Sequence, residues 1–383
     1  PYLSGVTVST ETLARGLAAA GHDVLLVAPR PAGDGVPGTA GAPGPEPAYA
    51  WLPSYQAPPP APPGYRMPLP LPSDALQHAR DFAPHIVHAQ APFVSGLMAR
   101  RLAQRAAAPL VFTHHTRFGD YSHYLGPLAQ AGRRTLGAYL GDFWRGCAAV
   151  VAPGSELAAE ISQALDGRGR PLVRMIPTGI DVRAIAQVAP VDVRGAQGWP
   201  ADAVVVVSVG RIAEEKNVQL LLEAFAVAAA GDALLRFLLV GGGPSTEEVV
   251  ERIARPDLAG RVALTGRLPH REALGQARGS DLFAFASQTE TQGLVLAEAL
   301  AAGVPVVALR GPGVADSVRD GVDGVVIQEP TAAALGNAIR QLAGDSRRRA
   351  AMAAAASHDA GRFAVDQRIG EVVELYRELL ADR

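Results

Sequence analysis

From Val204 onward the chain alternates short, uninterrupted apolar runs with amphipathic stretches. The runs are VVVVSVG (204–210), LRFLLVG (235–241), VALTG (262–266), DLFAFAS (281–287) and VPVVAL (304–309), and helical periodicity covers 217–229, 245–254 and 293–302. Strands apolar on both faces, separated by helices, belong to parallel sheets covered on both sides. The first half repeats the theme. A helix over 7–20 stops at Gly21 before a strand at 23–28. HIVHAQ (85–90), a helix over 94–107, PLVFTHH (109–115), CAAVVAP (147–153) and the helix SELAAEISQAL follow, and RMIPTGID (174–181) reads as a strand leaving the first domain. A chain of 383 residues exceeds one core. These signals predict an α/β protein of two doubly wound, Rossmann-like domains, residues 1–180 and 181–360. Residues 361–383 form a C-terminal helix expected to pack back towards the first domain.

Two segments break the pattern. Residues 29–72 hold 15 of the 31 prolines, which predicts a long connection with little regular structure. The opening PYLSGVTVSTETL reads as the loop and helix that follow a first strand, so the expectation is a native product with one further strand before Pro1.

Several function classes are excluded or constrained by composition. No run of 18 apolar residues occurs, so no segment reads as a membrane-spanning helix. A single cysteine, Cys147, excludes an internal disulfide framework and fits a reducing compartment. Residues 1–180 carry 14 basic and 11 acidic side chains, whereas 181–383 carry 21 and 26. The basic excess is concentrated at Arg100, Arg101, Arg105, Arg117, Arg133, Arg134 and Arg145, against Asp120 and Asp142. Such a patch suits phosphate or an anionic membrane surface. Nucleic acid is not an expected partner, because no recognition motif or aromatic-interleaved basic run accompanies it. His and Cys show no metal-ligand spacing, D-x-D is absent, and neither G-x-S-x-G nor G-x4-G-K-[ST] occurs. LVGGGPS (239–245) has the composition of a phosphate loop but reads as a tight strand-to-helix turn.

Two local features carry chemistry. The segment GRIAEEKNVQLLLEAF (210–225) holds Lys216, the only lysine beside 34 arginines. A compact ammonium on a flexible stem is not interchangeable with a planar guanidinium. In SQTETQGLVLAEALAAGVPVVA (287–308), Glu290 stands in a loop and Glu298 in the helix beginning near Gly293. The amides of Gln292, Gly293 and Leu294, with the positive end of the helix dipole, make a corner for anions and hydroxyls. Two carboxylates there suit the hydroxyls of a sugar and a ribose.

These motifs resemble glycosyltransferase family 4, the retaining enzymes of the two-Rossmann GT-B fold, whose domains face a central cleft. The similarity runs in the family's order through SGVTVSTETLARGLAAAGHDV, PHIVHAQAPFVSGLMA, FTHHT, IPTGID, GRIAEEKNVQLLLEAF, LVGGGP, TGRLP and the Glu290 region. The resemblance implies that Arg211 and Lys216 bind the donor diphosphate, Glu298 accepts the ribose hydroxyls, and Glu290 with the Gln292–Leu294 amides contacts the donor sugar. It implies that Gly5 lies in the glycine loop that lets a phosphate approach closely. The backbone of Arg267 and Leu268 would contact the base, and His115 would stand beside the transferred sugar, His114 pointing the other way. It further implies front-face retention without a protein nucleophile, no cofactor and no metal. The leaving phosphate is then stabilised by Arg, Lys and a helix N-terminus.

For the acceptor, THHTRFGDYSHYLG (113–126) is most similar to bacterial diacylglycerol glycosyltransferases. Phe118, Tyr121, His123 and Tyr124 fit their pattern, and Gly119 departs from it. The resemblance thus implies a hexose, glucose or galactose, carried from a UDP-linked donor to a lipid hydroxyl, chiefly diacylglycerol. The enzyme would be cytoplasmic and peripheral on the inner face of the cell membrane. A soluble glycan, a small polar acceptor, or an inactive sugar-nucleotide binder are the alternatives. Leu136, Tyr139, Leu140, Phe143 and Trp144 form an i, i+3, i+4, i+7, i+8 stripe that core packing explains more readily than membrane insertion.

Overall fold

The computed structural model describes residues 5–30, 46–58, 64–117, 129–165 and 171–382. They fall into two units, residues 1–179 with 365–383, and residues 180–364.

In the first unit α1 (Gly5–Ala19) gives way at Gly21, whose φ of +88° turns the chain towards β1 (Leu25–Pro29). β2 (Ala48–Leu52) lies parallel to β1 with Leu25 opposite Ala48, and β3 (Ser54–Gln56) pairs antiparallel with β4 (Arg66–Pro68). The proline-rich segment therefore has more regular structure than its composition predicts. AYAWL (48–52) is free of Pro and Gly and pairs over its whole length before Pro53 ends it. Pro68 is tolerated in a two-stranded ribbon, where strands have a free edge.

After α2 (Asp74–Asp81), strands and helices alternate as β5 (Val87–Ala89), α3 (Val94–Ala106), β6 (Leu110–Thr113), α4 (Ala129–Arg145), β7 (Ala149–Ala152), α5 (Ser155–Ala164) and β8 (Leu172–Met175). The four strands make a parallel sheet in the order β5-β6-β7-β8. Among the described residues β1 and β5 each pair along one edge. β8 stops at Met175, so the IPTGID part of the expected strand is the connection out of the unit instead. Pro177 there has no amide to donate to a ladder. The α4 stripe is core: Leu140, Phe143 and Trp144 are buried against Phe112 and Val150, with Leu136 and Tyr139 packed at the margin.

The second unit opens with α6 (Val182–Ala186) and α7 (Val193–Gln197), capped by Asp181 and Asp192. There follow β9 (Val204–Val209), α8 (Val218–Ala229), β10 (Leu235–Val240), α9 (Thr246–Ile253), β11 (Val262–Leu264), α10 (His270–Arg278), β12 (Leu282–Phe285), α11 (Leu294–Ala301), β13 (Val306–Leu309), α12 (Pro312–Ser317), β14 (Gly324–Ile327), α13 (Ala332–Gly344) and α14 (Ser346–His358). All six strands are parallel, in the order β11-β10-β9-β12-β13-β14. Side chains alternate across the sheet. Val206 faces a cluster with Leu222 and Phe225 of α8 and Ile339 of α13, whereas Val205 and Val207 face Leu296 and Leu300 of α11.

The final helix, α15 (Val365–Ala381), belongs to the first unit. Ile369, Val372 and Val373 pack with Leu17, Val111 and Val151, and Glu378 pairs with Arg174 at 3.0 Å.

Gly336 on α13 lies directly against α8. A Cβ there would stand 2.4 Å from the Ala224 carbonyl oxygen and 2.9 Å from Val227 Cβ. Gly336→Ala is expected to cost about 1–3 kcal/mol, as overpacking does, measured as a lowered urea midpoint. Unchanged stability would mean that α13 can shift without loss.

Candidate active site

In a doubly wound sheet, ligands bind beyond the carboxyl ends of the strands where the strand order reverses. In the second unit that point lies between β9 and β12, which are adjacent although two strands intervene in the chain. The loops leaving these strands converge. Asn217, held left-handed at φ +53°, turns the short 3₁₀ helix Glu214–Lys216 into α8. Its Nδ2 donates to the Ala286 carbonyl at 3.0 Å. From the other side, the Ser287 and Thr289 hydroxyls donate to the Glu215 carbonyl at 3.2 and 3.4 Å. Lys216 is thereby presented to the β12 loop, and its Nζ binds the Glu290 carboxylate. Both side chains are about three-quarters covered, with 28% and 23% of their surface exposed. Arg211, just beyond β9, pairs with Glu215 four residues on.

The glycines behind this crevice are required by backbone contact. Gly241 has φ +147°, and a Cβ on it would fall 1.8 Å from the Gly210 carbonyl oxygen. A Cβ on Gly243 would fall 2.2 Å from that of Ile212. The LVGGGP segment is thus a turn on which the Arg211 loop rests. The Gly241 amide donates to Gly266, and the Arg267 stem lies over Gly242, which links the β11 loop to the same block. Leu268 packs partly buried into the core beneath.

α11 starts at Gly293, left-handed at φ +70°, with no side-chain cap and no acidic residue in its first turn. Its positive end is thus not neutralised by the helix's own side chains, which suits an anion or hydroxyl. The turn is held from behind: the Ser317 hydroxyl donates to the Gln292 carbonyl at 3.1 Å, and Arg362 donates to the Ser317 carbonyl at 3.0 Å and to the wholly buried Asp323 at 2.7 Å. Gly313 lies so close that a Cβ would come within 2.7 Å of the Gly293 nitrogen. Glu298 stands in the second turn of α11, where His270 Nε2 lies 2.8 Å from its Oε1.

The expected donor residues thus form two linked groups, Arg211, Lys216 and Glu290 at the strand reversal and Glu298 at the β11 loop. Glu215, Asn217, Ser287, Thr289 and His270 were not legible as participants. Apart from the Arg211–Glu215 pair, their partners lie in other motifs, and only His270, at the end of LTGRLPH, carries a local signal.

In the first unit His115 follows β6, and its Nε2 lies 2.7 Å from Gln90 Oε1 just beyond β5. Gln90 was also missed, though it ends a strand at the same rim. His114 points the opposite way, to Trp144 Nε1 at 3.2 Å and the Thr116 carbonyl at 2.9 Å. Gly5 is the first residue of α1, with open space where a Cβ would stand. Phe118, Tyr121, His123 and Tyr124 lie outside the described residues.

Burial lowers the pKa of His115 to about 4, with neighbouring His114 adding to the effect. It lowers His114 to about 4 and His88 to about 3. All three rings are therefore neutral at pH 7. Because the unfolded chain takes up protons near pH 6.5, their burial stabilises fully above that pH, and the contribution falls as pH drops towards 4. The imidazole C2 protons of His88, His114 and His115 should show no titration between pH 8 and 5 by NMR. An inflection near 6.5 would contradict the burial.

Two family models match the chain in succession, "Glycosyltransferase Family 4" over residues 3–184 and "Glycosyl transferases group 1" over 192–359. Similar to it are two proteins named alpha-monoglucosyldiacylglycerol synthase. That of Streptococcus pneumoniae is 29% identical over 260 residues, 66% of this chain but only 58% of the pneumococcal protein. That of Acholeplasma laidlawii is 27% identical over 337 residues, 85% of this chain and 81% of the relative. Among solved structures, Anabaena HepE in complex with UDP superposes with a TM-score of 0.68 at 23% identity, covering 80% of this chain and 81% of that one. That likeness is one of fold, the GT-B arrangement of two Rossmann-like domains. On the two models together, which take in both halves of the sequence, the chain belongs to glycosyltransferase family 4.

Proposed function

We propose that the chain transfers a hexose, with retention, from a UDP-linked donor to a lipid hydroxyl, that of diacylglycerol. The observation that carries the donor half is the meeting of Lys216 and Glu290 at the strand reversal, a cation for a diphosphate beside a carboxylate for sugar hydroxyls. Arg211, Lys216 and the α11 N-terminus supply the positive charge that a leaving diphosphate requires, in place of a divalent cation. Glu298 accepts the ribose hydroxyls. The acceptor hydroxyl attacks the anomeric carbon from the leaving-group side, its proton passes to the departing phosphate oxygen, and the glycosidic bond forms as the sugar–phosphate bond breaks. Neutral His115, held by Gln90, serves as a hydrogen-bonding partner of the sugar rather than a charged one.

The lipid reading is supported by the two relatives named for glucosyldiacylglycerol synthesis and by one face of the first unit. Phe93 and Leu97, at the start of α3, are 43% and 42% exposed, in line at four-residue spacing with exposed Arg101 and Arg105, and Arg134 on α4 is exposed as well. Exposed apolar side chains with arginines further along the same helix suit an anionic bilayer surface, each Arg near it contributing about 1 kcal/mol.

Incubation with UDP-glucose or UDP-galactose and diacylglycerol vesicles should yield a glycolipid with the donor's anomeric configuration, in the presence of EDTA. Lys216→Ala should lower kcat/KM a few hundredfold, about 3 kcal/mol. Lys216→Arg should also lose most activity, since a planar fork does not replace the ammonium. Full turnover in Lys216→Arg would remove Lys216 from the site.

Vesicles containing anionic lipid should bind the protein at low salt and release it as salt rises. Combined Arg101→Glu and Arg134→Glu should abolish that binding while UDP binding persists. Binding to neither neutral nor anionic vesicles would favour a soluble acceptor, and equal binding to both would remove the arginines from the membrane contact.

A further inference from the structure

The carboxylate of Glu298 has two oxygens, and the fold assigns one of them. Its side chain is 19% exposed, and His270 Nε2 stands 2.8 Å from Oε1. His270 is set in place by its own helix. It is the first residue of α10, after Pro269, whose carbonyl accepts from the Ala273 amide at 3.0 Å. Ala273, Leu274 and Ala277 bury the inner face of α10. The imidazole therefore projects from a rigid helix start, not from a mobile loop. The hydrogen bond to Glu298 raises the His270 pKa, against the opposing effect of its partial burial. A carboxylate oxygen only accepts, so the ring nitrogen that faces it at 2.8 Å, Nε2, is the donor.

We infer that His270 is a positioning residue for the nucleotide: it donates Nε2–H to Glu298 Oε1 and so orients the carboxylate to receive the ribose hydroxyls of the donor. This rests on the assignment of Glu298 to the ribose. A glutamate on a helix surface has several rotamers to choose from, and a fixed donor on one oxygen restricts them before ligand arrives. The other oxygen is then available to accept from the ribose. His270 acts only through Glu298, so its effect is confined to ligands that carry ribose hydroxyls.

That confinement separates positioning from general support of the fold. Calorimetric titration of the full chain with UDP and with 2′,3′-dideoxy-UDP gives the two arms. His270→Ala should weaken UDP about fivefold, the order of one hydrogen bond, and leave dideoxy-UDP unchanged. Adding His270→Ala to Glu298→Ala should cause no further loss, since residues acting through one contact are not additive. UDP binding by His270→Ala equal to wild type would overturn the inference. So would an equal loss for both ligands, which would mark a structural role. If Glu298→Ala itself binds UDP as the wild type does, the ribose assignment beneath the inference fails, a result distinct from either.

Discussion

Everything at the candidate site of the second unit depends on the reversal of strand order at β9 and β12. The two strands lie side by side, but the helices that follow them pack on opposite faces of the sheet: α8 shares a core with Val206, and α11 one with Val205 and Val207. Neither helix can cover the carboxyl ends of both strands, so a crevice is left by geometry alone. The loops on its two walls are then fastened together by Asn217, Ser287 and Thr289. Those bonds join backbone to side chain across the crevice, and so set where Lys216 and Glu290 stand.

Both cations of the crevice have a carboxylate partner, Arg211 with Glu215 and Lys216 with Glu290. A partly covered charge without a partner is costly, and pairing removes that cost while no ligand is bound. On the proposed function, a diphosphate would exchange one anionic partner for another rather than meet bare cations. The net gain is therefore smaller than the formal charges suggest, and the specificity lies in geometry. An ammonium on a flexible stem can move from a carboxylate to a phosphate oxygen, which a bidentate guanidinium does less readily.

The first unit follows a different electrostatic rule. His88 lies between Tyr376 and Thr113, at 2.5 and 2.7 Å, while His115 and His114 turn to opposite sides of their strand. Desolvation keeps all three neutral, so this region contributes hydrogen-bonding capacity rather than charge. Arg101, Arg105, Arg134 and Arg145 of the same unit are exposed, where solvent screens them and where they can meet an extended anionic partner.

The alternation of apolar runs with amphipathic helices was enough to locate β9, β10, β12 and β13 to within about two residues of their observed ends. Strand burial and helix periodicity are local properties, which is why a single pass along the chain can read them. β2 escaped notice because proline-rich surroundings mask a five-residue run whose only justification is its partner β1. The motifs pointed to Lys216, Glu290 and Glu298 individually. That Lys216 meets Glu290, 74 residues away, and that Glu298 meets His270, 28 residues before it, was decided only by the folded sheet. A strand's own sequence records how deeply it is buried, whereas the order of strands is recorded nowhere locally. It emerges from packing helices on both faces, and that packing makes neighbours of the loops that carry the chemistry.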